Sequence, residues 1–145
     1  RDMIIALAAD HGGFGLKEHM KNFLEKKGYK VIDLGTHSEE SVDYPVYGKA
    51  CADAVSGGAA DRGMVFCGTG IGISIAANKG KGIRCALCTD VNMASMAKRH
   101  NDANILAMGG RTTDFETAEA IALTWLNTEF EGGRHQRRVD MLNGM

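Results

Sequence analysis

Residues 65–74 read VFCGTGIGIS and span the junction of a buried strand with a helix. The apolar run that ends at Cys67 has the length and composition of a strand, and an apolar segment resumes from about Ile71 to Asn78. Between them glycine stands at every second position, which is typical of a tight turn where a strand leads directly into a helix. The stretch therefore predicts one strand–helix (βα) unit.

The same alternation runs along the whole chain. Short apolar runs, each followed by a segment of helical periodicity, predict strands at residues 3–9, 30–35, 63–67, 83–88 and 104–109. Five consecutive βα units predict an α/β fold: an open, doubly wound, Rossmann-like, five-stranded parallel sheet with helices on both faces. No repeat or linker interrupts the pattern, so we expect a single domain over residues 1–145, with the strands in the order 2-1-3-4-5.

Two helices carry more specific expectations. Four residues are spaced to share one apolar face of the fourth helix: Met93, Met96, Ala97 and His100. Thr113 and Glu116 form the capping-box pattern that opens the fifth helix.

The composition excludes several classes of protein. Hydrophobic content of 44% and charged content of 24% are ordinary for a soluble globular domain, and a net charge of −1 gives no electrostatic footprint for nucleic acid. The apolar run at residues 3–9 is too short to cross a bilayer, and it lacks the basic start of a secretory signal. We therefore expect a cytoplasmic protein with neither a membrane nor a nucleic-acid partner.

The four cysteines are expected to be reduced thiols, since a protein that is not exported rarely forms disulfides. Cys85 and Cys88 match the C-x-x-C spacing of a redox pair. They lie within a predicted strand, however, where residues three apart point to opposite faces of the sheet. Two small buried side chains are therefore the favoured interpretation, and no cysteine spacing predicts a zinc site or any other metal site.

Ligands of doubly wound sheets bind beyond the carboxyl ends of the strands, where the strand order reverses. In the expected order, strands one and three are neighbours at that point. Strand one is followed by Asp10, His11 and two glycines, and strand three by the glycine loop, residues 68–72. We expect these two loops to meet in the functional crevice.

The glycine loop has two interpretations on its residues alone. It lacks the lysine of a P-loop and the spacing of a dinucleotide-binding turn. Backbone N–H groups at a helix N-terminus would favour an anion or a developing oxyanion, whereas the alternative is a tight, closely packed turn. Cys67 is similarly ambiguous: a cysteine at a strand end is usually buried and inert, but a helix N-terminus favours a thiolate, and Thr69 is placed to hydrogen-bond it.

Two further groups of residues remain open to interpretation. His100 ends the fourth helix, either as a core histidine or as a functional one, with Asn101 beside it. Arg134 and Arg138 are four residues apart, so a helical tail would place them on one face. Paired guanidinium groups suit a phosphate, but a solvated basic face is favoured on spacing alone.

Six segments together resemble a known family. ADHGGFGLK, DYP, CGTGIGISIAANK, GIRCAL, RHNDANILAMGGR and EGGRHQRRV occur in this order and span nearly the whole chain. The sequence is similar to ribose-5-phosphate isomerase B, within the broader family that includes bacterial galactose-6-phosphate isomerase. The resemblance implies interconversion of ribose 5-phosphate and ribulose 5-phosphate through a cis-enediolate, without metal or organic cofactor.

The resemblance also implies a role for each site residue. Cys67 matches the catalytic base, Thr69 a proton shuttle, and His100 with Asn101 the ring-opening position. The enediolate oxygen would be bound by the loop residues Gly68, Gly70, Ile71 and Gly72. Sugar-contacting or proton-handling positions match Asp10 and Tyr44, and phosphate contacts match His11, Arg111, Arg134 and Arg138, the last two within a C-terminal segment at about residues 132–145.

Family sites form between two subunits, so the resemblance implies a homodimer with shared sites, which can pair into a tetramer. Two alternatives stay open. One is the same chemistry on a six-carbon sugar, allose or galactose 6-phosphate. The other is a non-catalytic nucleotide- or phosphate-binding domain.

Overall fold

The structure, a computed structural model, describes residues 2–145. Strands and helices alternate through the fifth helix as the sequence predicts, and a sixth helix follows it directly. The elements are β1 (Ile4–Ala9), α1 (Phe14–Lys26), β2 (Lys30–Asp33), α2 (Tyr44–Ser56), β3 (Arg62–Cys67), α3 (Ile71–Ala77), β4 (Cys85–Leu87), α4 (Val91–Asn101), β5 (Ile105–Gly109), α5 (Phe115–Asn127) and α6 (Arg134–Asn143).

The five strands form one parallel sheet in the order β2-β1-β3-β5-β4. The predicted α/β class is confirmed, but the predicted strand order 2-1-3-4-5 is wrong, because β5 lies between β3 and β4. The physical reason lies in the two strands themselves. All five residues of β5 are buried, as an interior strand requires, whereas β4 has three half-buried residues and suits an edge.

Two apolar cores cover the two faces of the sheet. One contains side chains of α1, α4 and α5, with Trp125 donating its indole N–H to the carbonyl of Ala103 at 3.2 Å. The other contains small side chains of α2 and α3, such as Cys51, Ala52 and Ala77. Helices therefore lie on both faces, as predicted.

The buried face of α4 differs from the prediction. Met93 and Met96 are 40% and 38% exposed, while Ala94, Ala97 and Lys98 are buried. Small alanines allow α4 to pack closely against the sheet and α5, and the methionines flank this contact. The predicted cap of α5 is also wrong: Asp114, not Thr113, accepts the hydrogen bond of the Thr117 amide at 2.8 Å.

All four cysteines are free thiols. Cys85 packs against the core under α2 and α3, and Cys88 lies in the core on the opposite face, which confirms the prediction from their spacing. None of the helices between residues 2 and 145 combines the length and the apolar character needed to cross a membrane.

Candidate active site

Three loops meet at the carboxyl ends of β1, β3 and β5. The Asp10 amide donates to the carbonyl of Phe66 at 3.2 Å. The amides of Gly110 and Arg111, directly after β5, donate to the carbonyls of Cys67 and Gly68 at 2.8 and 2.9 Å. The meeting of the β1 and β3 loops is as predicted, whereas the β5 loop joins them because β5 is the direct neighbour of β3.

Asp10 closes the turn after β1. Its Oδ1 accepts hydrogen bonds from the amides of Gly12 and Gly13 at 2.9 and 3.1 Å, and the residue is only 7% exposed. Two amide donors fix the carboxylate beside the end of β3 rather than letting it turn into solvent.

Cys67 is the last residue of β3 and is 5% exposed. Its Sγ accepts a hydrogen bond from the Gly70 amide at 3.2 Å. The predicted partner, Thr69, makes a different contact, since its Oγ1 accepts from the Ile71 amide at 3.2 Å. The glycine loop therefore wraps around the thiol and directs an amide at it, an arrangement that stabilises negative charge on sulfur.

The loop requires glycine at Gly70. Its φ is +80°, and a Cβ there would lie 2.7 Å from Leu87 Cδ1 and 2.8 Å from the carbonyl carbon of Met108. Gly72 is needed for another reason: a Cβ there would lie 2.7 Å from the ring of Tyr44. The close approach places Tyr44, the first residue of α2, directly over the start of α3.

Arg111 supplies the positive charge of this crevice. Its Nη1 lies 2.8 Å from the position of a Cβ on Gly68, and its Nη2 lies 3.3 Å from that on Gly12. The guanidinium thus lies against both the β1 and the β3 loops. His11 is held in the same region, where its Nδ1 accepts from the Val42 amide at 3.2 Å, so that in the neutral ring the proton is on Nε2.

His100 and Asn101 lie at the opposite end of the strands, where the strands begin. The carbonyl of Asn101 accepts from Nε of Arg84, which directly precedes β4, at 3.1 Å. Asn104, which directly precedes β5, donates its amide to the carbonyl of Arg84. The amino ends of the strands are therefore beside His100, and a six-residue strand such as β3 separates the two edges by roughly 20 Å.

Arg134 and Arg138 belong to the same distant group. Both are exposed on α6, and the Arg138 guanidinium donates to the carbonyl of Arg134 at 3.2 Å. One chain therefore brings Asp10, His11, Tyr44, Cys67, the glycine loop and Arg111 together, but leaves His100, Asn101, Arg134 and Arg138 apart from them.

His100 is part of a cluster that the sequence did not reveal. Its ring stacks on that of His135, with centroids 4.2 Å apart and 13° between the planes. Oε1 of Glu131 lies 3.5 Å from His135 Nε2 and 3.9 Å from His100 Nε2, while Arg99 Nε binds Oε2 at 2.6 Å. The only signal in the sequence was the four-residue spacing of Glu131 and His135.

The pKa values of His135 and Glu131 in this cluster are both lowered, for different reasons. Burial, followed by the proximity of His100 and Arg134, holds the pKa of His135 below its usual 6.5, against the opposing effect of Glu131. The hydrogen bond from Arg99 lowers the pKa of Glu131. At neutral pH the cluster therefore holds a carboxylate beside a neutral imidazole on His135.

The other cysteines are poor candidates for a thiolate. Burial raises the pKa of Cys51 to about 12 and that of Cys88 to about 11, and it raises the pKa of Cys85 further still. Each remains a neutral thiol at physiological pH, which agrees with a packing role.

Comparison with known proteins identifies the family. Residues 5–142 match the model of the family described as Ribose/Galactose Isomerase. The chain belongs to the ribose/galactose isomerase family. The resemblance seen in the sequence is thus confirmed.

Members of the ribose/galactose isomerase family match over nearly their full length. The ribose-5-phosphate isomerase B of Escherichia coli K12 is 47% identical over 141 residues, which cover 97% of this chain and 95% of the relative. The structure of ribose-5-phosphate isomerase B from Clostridium thermocellum is 55% identical, with a TM-score of 0.97 over 98% of this chain and 96% of that one. That of a ribose 5-phosphate isomerase from Thermotoga maritima is 49% identical, with a TM-score of 0.97 over the whole of both chains.

Proposed function

We propose that the protein interconverts D-ribose 5-phosphate and D-ribulose 5-phosphate through a cis-enediolate, as an enzyme of the pentose phosphate pathway in the cytoplasm. The observation that carries the proposal is the buried Cys67 thiol, bound by an amide of the glycine loop and placed at the crevice that Arg111 makes positive. Similarity to ribose-5-phosphate isomerases over nearly the whole chain supports the choice of substrate.

Cys67 acts as the base in this proposal. As a thiolate it removes the proton from C2 of the open-chain aldose and returns it to C1, which moves the carbonyl from C1 to C2. A positioned general base typically contributes about 10²–10⁴-fold to such a rate. The Gly70 amide donates its hydrogen bond to this same sulfur at 3.2 Å and so holds it in place.

The negative charge that develops on the enediolate oxygen needs fixed donors. Each such donor typically lowers the barrier by about 3–4 kcal/mol. The Gly70 and Ile71 amides are engaged by the Cys67 sulfur and the Thr69 hydroxyl, so the amides of Gly68 and Gly72 are the first candidates. The Thr69 hydroxyl would carry the proton between O1 and O2 of the sugar.

Asp10 and His11 lie in the loop after β1, and Tyr44 opens α2 with its ring against Gly72 of the glycine loop. Asp10 and Tyr44 would bind the sugar hydroxyl groups, and His11 with Arg111 would bind the phosphate together with Arg134 and Arg138. Remote phosphate contacts supply binding free energy that orients the reacting carbons.

A homodimer completes the site in this proposal. His100, Asn101, Arg134 and Arg138 lie roughly 20 Å from Cys67 within one chain, so a second subunit would bring them to it. Beside the glycine loop, the side chains of Val46, Ile71 and Ile75 are 62%, 52% and 57% exposed. An apolar patch of this kind is typical of a surface that a partner covers, and two such dimers would form a tetramer.

The decisive experiment is ketose formation by purified protein from ribose 5-phosphate, compared with allose 6-phosphate and galactose 6-phosphate, in the presence of EDTA. We expect the pentose to be the preferred substrate and EDTA to have no effect. Turnover of a hexose phosphate alone would keep the chemistry and replace the substrate. Binding of nucleotide or phosphate without turnover of any sugar would favour the non-catalytic alternative.

A further inference from the structure

The His100–Glu131–His135 cluster has the composition of a transition-metal site. Two imidazoles and one carboxylate place one ligand atom each within 4.8 Å of one another. Imidazole nitrogen and carboxylate oxygen are common protein ligands of Zn²⁺. The cluster contains no cysteine, so the spacing of the cysteines does not predict it.

The distances are close to those that a bound ion requires. Tetrahedral Zn²⁺ with bonds of about 2.0–2.1 Å sets neighbouring ligand atoms about 3.3 Å apart. Oε1 of Glu131 is already 3.5 Å from His135 Nε2 and 3.9 Å from His100 Nε2. The three ligand atoms lie within 4.8 Å of one another, and the two stacked rings would tilt toward each other so that both Nε2 lone pairs converge on the ion.

The surroundings hold the carboxylate in place for such an ion. Arg99 binds Oε2 of Glu131 at 2.6 Å, and the Glu131 amide donates to the carbonyl of Arg99 at 3.0 Å. These two contacts with Arg99 hold Glu131 so that Oε1 faces both histidines. The side chains of His100, Glu131 and His135 are 29%, 38% and 12% exposed, which leaves access for an ion and for water in the remaining coordination position.

We propose that His100, Glu131 and His135 bind one Zn²⁺ ion per chain and that its binding inhibits the isomerase. The inhibitory part rests on the proposed function, in which the imidazole of His100 moves a proton during opening of the sugar ring. A metal on Nε2 of His100 would occupy the lone pair needed for that step. The metal site is therefore inhibitory and takes no part in catalysis.

Metal binding is measured first without substrate, so that it does not depend on activity. Co²⁺ is titrated into the protein and followed by its visible absorption, and Zn²⁺ binding is measured by equilibrium dialysis. Glu131→Gln and His135→Asn should each weaken Zn²⁺ binding by at least about 10-fold. His19→Asn is the matched control. His19 also pairs with a glutamate, Glu119 at 2.6 Å, but it does not belong to the cluster, so this variant should bind Zn²⁺ like the unmodified protein.

Inhibition is measured next, with ribose 5-phosphate. Zn²⁺ should lower the rate, EDTA should restore it, and both cluster variants should need at least about 10-fold more Zn²⁺ for the same inhibition. Zn²⁺ binding that survives in both variants, or that is lost in Cys67→Ser instead, would overturn the proposal by placing the ion elsewhere. An active isomerase that binds no Zn²⁺ would refute this inference alone. Zn²⁺ binding by a protein without isomerase activity would refute the proposed function, and with it the inhibitory part, while the metal site itself would stand.

Discussion

The Gly70 amide donates a hydrogen bond to Sγ of Cys67 over 3.2 Å. The bond joins the last residue of β3 to the residue before α3, so the loop and the thiol form one unit. Because the donor is a backbone amide at a helix N-terminus, it favours a negatively charged sulfur. This relationship underlies the first two predictions.

Replacement of Cys67 by alanine should remove the base and leave the fold intact. We expect kcat to fall by at least about 10²-fold, while sugar phosphate binding measured by calorimetry is retained. Cys88→Ala is the matched control, since this thiol is buried on the opposite face of the sheet, and it should change stability rather than kcat. Turnover by Cys67→Ala near the unmodified rate would exclude Cys67 as the base.

Replacement of Gly70 by alanine should damage both the loop and the activity. The positive φ and the contact with the Met108 backbone together should destabilise the protein by about 3 kcal/mol. Gly82→Ala separates the two causes, because Gly82 has a φ of +75° with open space around it. Gly82→Ala should lower the free energy of unfolding by only about 1–2 kcal/mol and leave kcat unchanged. Urea unfolding and kcat are measured for both variants. Equal effects of the two substitutions would contradict the steric argument.

Mixing two inactive variants should restore activity if the site is shared between subunits. Cys67→Ala and His100→Asn affect opposite ends of the proposed site. A heterodimer of the two would contain one site with both residues unmodified, so random exchange should recover about a quarter of the unmodified rate. The measurement is turnover after the variants are unfolded and refolded together. Complete inactivity of the mixture, with dimers present by light scattering, would argue that each site lies within one chain.

The buried ion pair between Lys17 and Asp33 should make stability depend on pH. Lys17 is fully buried, and its Nζ lies 2.7 Å from Oδ1 of Asp33. Burial acts to raise the pKa of Asp33, but hydrogen bonds from Lys17 and the Gly35 amide together hold it below its ordinary 3.8. Since the folded pKa is the lower one, the pair stabilises the protein above about pH 4, and this stabilisation is lost as the pH falls from there through the folded pKa.

Asp33→Asn tests the ion pair directly. The variant leaves the Lys17 charge buried with Glu18 as its remaining partner, so we expect a loss of about 3–5 kcal/mol at pH 7. Its urea midpoint should also fall less steeply than that of the unmodified protein between about pH 4 and pH 3. Asp53→Asn breaks the exposed Lys49–Asp53 pair instead and should change stability by less than about 1 kcal/mol. Identical pH profiles for Asp33→Asn and the unmodified protein would refute the assignment.

The sequence predicted the elements better than their arrangement. Strand ends such as Cys67 and helix starts such as Ile71 follow from local composition and glycine spacing, and the structure places them as expected. The sequence did not predict the order of β4 and β5, because that order depends on which strand is buried in the interior of the sheet and which lies at its edge. The same reason explains Met93 and Met96, which have the periodicity of a buried face but lie beside one made of alanines.

The candidate site shows the same division. The alternation of apolar runs with helical periodicity determined the α/β class, and the motifs determined the family and which residue types carry the chemistry. Only the tertiary structure decided that Arg111 lies against Gly68, that Tyr44 covers Gly72 and that His100 joins Glu131 and His135 at the far edge of the sheet. Local patterns report which backbone conformation each segment prefers, whereas contacts between distant segments depend on packing the whole sheet and its helices together.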